Sequence, residues 1–142
     1  MIGSVELDYF SVSDIETAAR TVYGEARGET EAGKIAVAWV ILNRANKGGW
    51  WGNNVNTVCV FPWQFSCWNK NDPNRAKIQK VGLDDESLRQ CLLAVASVFS
   101  GLAPDPTDGS THYHAAGVNP AWAVDHTPAA IIGAHVFYNT VS

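Results

Sequence analysis

The 142-residue chain lacks the features that mark several classes of protein. Its 10 Lys and Arg stand against 14 Asp and Glu, a formal net charge of −4, and no basic stripe is present that could neutralise the phosphates of a nucleic acid. No apolar run approaches the ~18 residues of a transmembrane helix. The composition therefore argues against nucleic acid or a membrane as the main partner.

Signals for secretion and for a disulfide framework are also missing. The first six residues lack the basic and apolar regions of a signal peptide, so we expect synthesis in the cytoplasm without a leader. The three cysteines are an odd number, which does not suit a disulfide framework. Cys59 and Cys67 could still bridge a loop, whereas Cys91 lies on the apolar face of a later helix and is expected in the core.

The residues that are present predict one folded domain spanning 1–142. Apolar residues make up 46% and charged residues 17% of the chain, and no internal repeat or linker is visible. The predicted class is mainly α (α+β), with a buried central helix and a small β element. An extended arm precedes the helices, packed by Leu7, Tyr9 and Phe10. Hydrophobic periodicity, caps and turn residues predict helices near 14–27, 30–46, 54–60, 75–81 and 85–100 and strands near 111–115 and 135–139.

The end of the first predicted helix holds two carboxylates, an arginine and two glycines within residues 21–29. A capping box of Ser13 and Glu16 begins this helix, and Gly28 ends it. Glu25 falls about 80–90° from the centre of the apolar stripe, at its half-buried flank. Burial and the negative end of the helix dipole both disfavour a charged carboxyl, and a general acid needs one that keeps its proton. The alternative is a boundary glutamate in a structural hydrogen bond.

A long region of little periodicity, residues 50–73, carries four of the six tryptophans. Tryptophan, glutamine and asparagine together suit a sugar site, where a flat ring stacks and amides bond to hydroxyl groups. The alternative is a loop pinned by aromatic side chains that insert into the core.

Two other groups of residues could form a catalytic centre instead. The histidines His112, His114, His126 and His135 could form a zinc site, since the H-x-H pair lies on one face of a strand. Cys67 with His126 could form a nucleophile and its base. Ordinary polar and packing roles for these residues are the simpler interpretation.

Several blocks resemble the SleB/CwlJ-type cell-wall hydrolase family. They are ARTVYGEARGE at 19–29, GKIAVAWVILNR at 33–44, QFSCW at 64–68 and IGAHVFY at 132–138, in the family order. The similarity spans about residues 14–138, and the first two blocks together are highly specific. The resemblance implies a lysozyme-related fold and an enzyme that degrades peptidoglycan. The short chain looks most like a phage endolysin.

The family's catalytic glutamate corresponds to Glu25. The resemblance implies a lytic transglycosylase that cuts the MurNAc–GlcNAc bond with one carboxyl and needs no cofactor or metal. Glu29 belongs to the same block, and an ion pair or a cap at the helix junction is its simpler role. Supporting substrate contacts are expected from Gln64, Ser66, Trp68 and Tyr113, and Glu29 is a further candidate for substrate binding. His114 and His126 are further cleft candidates.

Alternatives to this function stay open at this point. They are a hydrolytic muramidase, for which Glu29, Glu31, Asp72 and Asp125 are candidate second carboxylates, a zinc-dependent N-acetylmuramoyl-L-alanine amidase, and a non-catalytic wall-binding module. The expected partner is the peptidoglycan glycan strand, the expected state is a monomer, and the expected place of action is the cell wall after holin-dependent release.

Overall fold

The computed structural model describes residues 10–61 and 64–142. In these ranges the chain forms five α-helices, two 3₁₀ turns and a three-stranded sheet. The predicted arm lies outside the described residues except for Phe10, whose ring packs on Phe99 with centroids 4.6 Å apart. The helices are α1 Val12–Ala26, α2 Glu31–Lys47, α3 Val55–Val60, α4 Asn74–Lys80 and α5 Glu86–Phe99, and the 3₁₀ turns are Ser66–Trp68 and Ala121–Ala123.

Helix α1 starts earlier than the sequence predicts. The N-cap is Ser11, whose hydroxyl accepts from Asp14 N while the Asp14 carboxylate accepts from Ser11 N. The prediction of a capping box formed by Ser13 and Glu16 is therefore wrong. Both serines have an acidic residue three positions later, so the local pattern fits either. Asn56 favours the observed choice, because its side-chain amide donates to Asp14 Oδ1 at 2.8 Å.

Helix α2 is the buried central helix that the sequence predicts. Val37, Ala38, Val40 and Ile41 are each fully buried, and Thr30 caps the helix. Helices α1 and α5 pack against α2 around the main core. An all-round apolar surface is stable only where neighbours cover every face, which explains why the rest of the fold surrounds this helix.

The three cysteines, all within the described part of the chain, are buried free thiols. Cys91 lies in the main core as predicted, and Cys59 and Cys67 do not bridge the loop.

The sheet has the strand order β1-β3-β2, all antiparallel, with β1 at His112–Ala115, β2 at Ala130–Ile132 and β3 at His135–Tyr138. The pairing of β1 with β3 confirms the two predicted strands. Side chains alternate between faces. One face carries Tyr113 and Phe137 toward α2, and the other carries His112, His114 and Tyr138 toward Trp122.

The end of α2 anchors the loop that leads into β1. The Asn43 amide donates to Asp105 Oδ2 at 2.9 Å and to the Ser110 carbonyl at 3.0 Å. Arg44 Nε donates to the Thr111 carbonyl at 2.6 Å. These bonds fix the entry of β1, and so they determine where Tyr113 lies.

Within the ranges that the structure describes, none of the helices combines the length and the apolar character needed to cross a membrane.

Candidate active site

Glu25 lies in the last turn of α1 with its side chain half-buried, as its place on the helix predicts. The phenol of Tyr113, on β1, donates a hydrogen bond to Glu25 Oε1 with an oxygen–oxygen distance of 2.6 Å. Burial and the neighbouring Glu25 carboxylate raise the pKa of Tyr113 well above its ordinary value. The phenol therefore stays protonated near neutral pH and remains a donor to Glu25.

The Tyr113 ring is held by its neighbours on the sheet. It stacks on Phe137 with centroids 5.6 Å apart and meets the edge of His135 at 4.9 Å. Helix α2 lies under Phe137 through Ala36 and Val40. The donor to Glu25 is thus fixed by packing rather than by the hydrogen bond alone.

The 3₁₀ turn Ser66–Trp68 packs directly on the last turns of α1. A Cβ added at Gly24 would lie 2.7 Å from both Cβ and Sγ of Cys67, so only glycine allows this approach. One turn earlier on α1, Thr21 Oγ1 accepts a hydrogen bond from the Trp68 indole N–H at 2.8 Å. Glu25 is therefore flanked by the aromatic loop on one side and by β1 on the other.

Arg44 is a residue of the site region to which the sequence assigned no role. It is 5% exposed, its guanidinium lies 5.0 Å from the Phe65 ring centroid, and its Nη1 is a buried atom without a hydrogen-bond partner. Burial lowers its pKa, while Tyr113, Cys59 and Glu25 act in the opposite direction. The sequence signal that could have predicted this role is the position of Arg44, which directly follows a helical segment that is apolar all round. A charged side chain at such a position is expected to be buried.

Glu29 supports the sheet from the helix junction. Its Oε1 accepts from Ala134 N at 3.0 Å and lies 3.9 Å from His135 Nδ1. Gly133 leaves room for this carboxylate, since an added Cβ would overlap Oε1. The two glutamates of one block thus contact different parts of the same sheet, Glu25 at β1 and Glu29 at the turn between β2 and β3.

The other predicted substrate contacts occupy different positions. Ser66 is exposed at the start of the 3₁₀ turn, and Gln64 is half-buried just after the two undescribed residues Pro62 and Trp63. Trp68 uses its N–H within the protein, which leaves its ring for stacking. Tyr113 is the member of the predicted set that bonds directly to Glu25.

The four histidines have separate partners. His114 Nε2 lies 2.8 Å from the Tyr138 hydroxyl, and His126 Nδ1 lies 2.7 Å from Thr140 Oγ1. His112 lies between Trp51 and Trp122, where burial lowers its pKa to about 4. Across residues 10–61 and 64–142, no three His, Cys, Asp or Glu side chains are grouped closely enough to hold a metal ion.

Cys67 does not have the surroundings of a nucleophile. Burial, followed by the Glu25 carboxylate beside it, raises the pKa of its thiol, whereas a reactive thiolate needs a lowered pKa. His126, the base suggested for it, is bonded to Thr140.

A family model described as cell wall hydrolase matches residues 28–138. The chain belongs to the cell wall hydrolase family. The matched range begins after Glu25, so the family match itself does not reach that carboxyl. The resemblance predicted from the sequence blocks is confirmed at the level of the family.

Individual members of the cell wall hydrolase family agree with this membership. The spore cortex-lytic enzyme of Halalkalibacterium halodurans is 36% identical over 135 residues, which are 92% of this chain and 36% of that protein. The spore cortex-lytic enzyme of Bacillus subtilis is 47% identical over 57 residues, 40% of this chain and 18% of that protein. The chain therefore spans only a minor part of the length of these relatives.

Two solved structures share the fold of this chain. The catalytic domain of the Bacillus cereus SleB protein matches with a TM-score of 0.73 at 30% identity, covering 92% of each chain. The catalytic domain of the germination-specific lytic transglycosylase SleB from Bacillus anthracis matches with a TM-score of 0.73 at 29% identity, covering 93% of this chain and 98% of that one. The predicted fold, mainly helical with a small β element, is confirmed.

Tyr113→Phe tests the contact that defines the site. The change removes the hydroxyl and keeps the ring between Phe137 and His135, so the free energy of unfolding should fall by only about 1 kcal/mol, the net value of one hydrogen bond. We expect kcat on cell wall to fall about tenfold, because the hydrogen bond from the phenol strengthens as Glu25 gives up its proton, and about 1.4 kcal/mol of lost transition-state stabilisation is a factor of ten. Tyr138→Phe is the matched control, since its hydroxyl bonds to His114 on the other face of the sheet. Equal losses in both variants would contradict the assignment.

Proposed function

We propose that this domain cleaves the glycosidic bond between N-acetylmuramic acid and N-acetylglucosamine in peptidoglycan, as a lytic transglycosylase. The observation that carries the proposal is the 2.6 Å hydrogen bond from Tyr113 to Oε1 of Glu25. This bond engages one carboxyl oxygen and sets the direction of the other. Membership of the cell wall hydrolase family and the similarity to SleB catalytic domains support the substrate class.

In the proposed reaction Glu25 serves first as acid and then as base. Its carboxyl gives a proton to the oxygen of the scissile bond, and the bond from that oxygen to the muramic C1 breaks. The C6 hydroxyl of the same muramic residue then attacks C1 and gives its proton to the Glu25 carboxylate. The product ends in 1,6-anhydromuramic acid, and the enzyme regains the proton that it started with.

This route requires one carboxyl, so it needs no catalytic role for the other acidic candidates. A hydrolase would place a second carboxyl about 5–5.5 Å from the first if retaining, or about 6.5–9.5 Å if inverting. Glu29 is bonded to the Ala134 amide, and Asp72 Oδ1 accepts from Asn74 N at 2.8 Å. Glu31 and Asp125 are exposed.

The products of digested peptidoglycan test this proposal. Mass spectrometry should find 1,6-anhydromuramic ends, because the C6 hydroxyl and not water closes the reaction. Reducing muramic ends would identify a hydrolytic muramidase. Free stem peptides, with activity lost to a chelator and restored by zinc, would identify an amidase. If incubation with peptidoglycan gives none of these products, the domain is a non-catalytic wall-binding module.

The phage endolysin role and the release through a holin are predictions that need tests of their own. The relatives named above are spore cortex-lytic enzymes, which support action on the cell wall. A phage endolysin role and release through a holin would be tested by lysis from inside an expressing cell, with and without a co-expressed holin. Lysis that does not depend on the holin would contradict the release prediction.

A further inference from the structure

A surface pocket of about 510 Å³ lies beside the 3₁₀ turn that flanks Glu25. Trp68 and Val60 form an apolar part of its lining, and two basic side chains and three side-chain amides form the polar part. The polar residues are Asn69, Lys70, Asn71, Arg75 and Gln79.

The segment 70–80, which supplies both basic residues of the pocket, has a net charge opposite in sign to that of the whole chain. Four of the ten basic residues, Lys70, Arg75, Lys77 and Lys80, fall within residues 70–80, where Asp72 is the one acidic residue. The net charge of −4 therefore conceals a local positive region. In the described part of the chain neither Lys70 nor Arg75 forms an ion pair, and the buried Arg75 Nε has no hydrogen-bond partner. These two cations are available to an anionic ligand.

The position of the pocket relative to Glu25 limits what that ligand can be. Trp68 is bonded to Thr21, one turn before Glu25, which is about 6 Å along the helix axis. The start of α4 is also tied to α1, because Arg27 donates to the Asn74 side chain at 3.0 Å. Three extended residues span about 10 Å. A short peptide attached to a sugar at Glu25 can therefore reach the pocket.

We propose that this pocket binds the stem peptide of the muramic residue next to the scissile bond. The proposal rests on the function proposed above, which places muramic acid at Glu25. The stem peptide carries free carboxylates for Lys70 and Arg75, backbone amides for the asparagine and glutamine side chains, and aliphatic groups for Trp68. A phosphate polymer of the wall would match the cations but would leave the amides and the indole ring unused.

Binding of a free stem peptide by the unaltered protein is the first test. The probe is synthetic L-Ala-γ-D-Glu-meso-diaminopimelate, followed through backbone and indole N–H signals in NMR spectra. The expected shifts centre on the Trp68 indole and on residues 69–75, and a peptide with its carboxylates amidated should bind several-fold more weakly. Shifts elsewhere, no shifts at millimolar peptide, or shifts caused only by a wall phosphate polymer would overturn the proposal.

Two double variants, each of which removes two positive charges, are the second test. Lys70→Gln with Arg75→Gln removes the two cations of the pocket, and Lys77→Gln with Lys80→Gln removes two from the same region outside its lining. The readout is the ratio of kcat/KM on intact peptidoglycan to kcat/KM on glycan strands stripped of peptide. We expect the first pair to lower this ratio about fivefold to tenfold, through KM, and the second to change it less than twofold.

Equal effects of the two pairs, or an unchanged ratio in both, would overturn the assignment. If the unaltered protein produced no anhydromuramic ends from either substrate, the proposed function would fail, and the NMR measurement would still decide whether the pocket binds the peptide.

Discussion

Replacing Glu25 with glutamine should reduce the lysis of cell wall by about 10²–10⁴-fold, the range attributed to a general acid–base group. Glutamine has nearly the same shape and its carbonyl oxygen can still accept the hydrogen bond from Tyr113. It has no proton to give to a glycosidic oxygen. We therefore expect the free energy of unfolding to stay within about 1 kcal/mol of the original value.

Glu16→Gln is the control for that experiment. Glu16 lies on the same helix, is exposed, and pairs with Arg20 at 3.0 Å. Losing such a pair costs about 0.3–0.5 kcal/mol of stability and should leave the rate unchanged. Normal lysis by the Glu25→Gln variant, measured by the fall in turbidity of a wall suspension, would end the assignment of Glu25 as the acid.

The second large effect is expected from Gly24→Ala. The new Cβ would meet Cβ and Sγ of Cys67 at 2.7 Å and Cγ2 of Ile78 at 3.1 Å. A helix gains up to about 1 kcal/mol from Gly→Ala, whereas overpacking costs about 1–3 kcal/mol. Because the two short contacts involve Cys67, in the turn against Glu25, we expect a net loss of about 1–2 kcal/mol and a weakened activity.

Gly28→Ala separates this contact from a general effect of glycine. No atom lies within 4 Å of a Cβ placed at Gly28, so this variant should keep its stability and its activity. Urea unfolding and wall lysis measured on both variants test the difference. A Gly24→Ala protein as stable and as active as the original would mean that the 3₁₀ turn moves away freely.

Local patterns in the sequence were sufficient for most helices and for the place of Glu25. The apolar run 35–42 predicted the central helix, and helical spacing predicted a half-buried Glu25. The same local patterns could not choose between Ser11 and Ser13 as the cap, since the Asn56 contact that favours Ser11 comes from another helix. Strand β2 was missed because a strand of three residues is too short to show alternation.

The contacts that complete the site are long-range, and periodicity carries no information on them. Tyr113 entered the prediction through the family resemblance, and its bond to Glu25 joins residues 88 positions apart. The role of Glu29 depends on Ala134, 105 positions away. Arg44 is buried by aromatic rings, at Trp51 and Phe65, that the sequence could place only in an irregular region.

The two bonds between the glutamate block and the sheet have a consequence for how the site comes into being. Closing loops of 88 and 105 residues costs chain entropy before the new contacts stabilise anything. Helices α1, α2 and α5 can bury their apolar faces against one another without the sheet. A chain that stops after Phe99 would thus contain Glu25 and most of the core, but neither Tyr113 nor Ala134. The carboxyl acquires its partner only when the segment after Phe99 has docked.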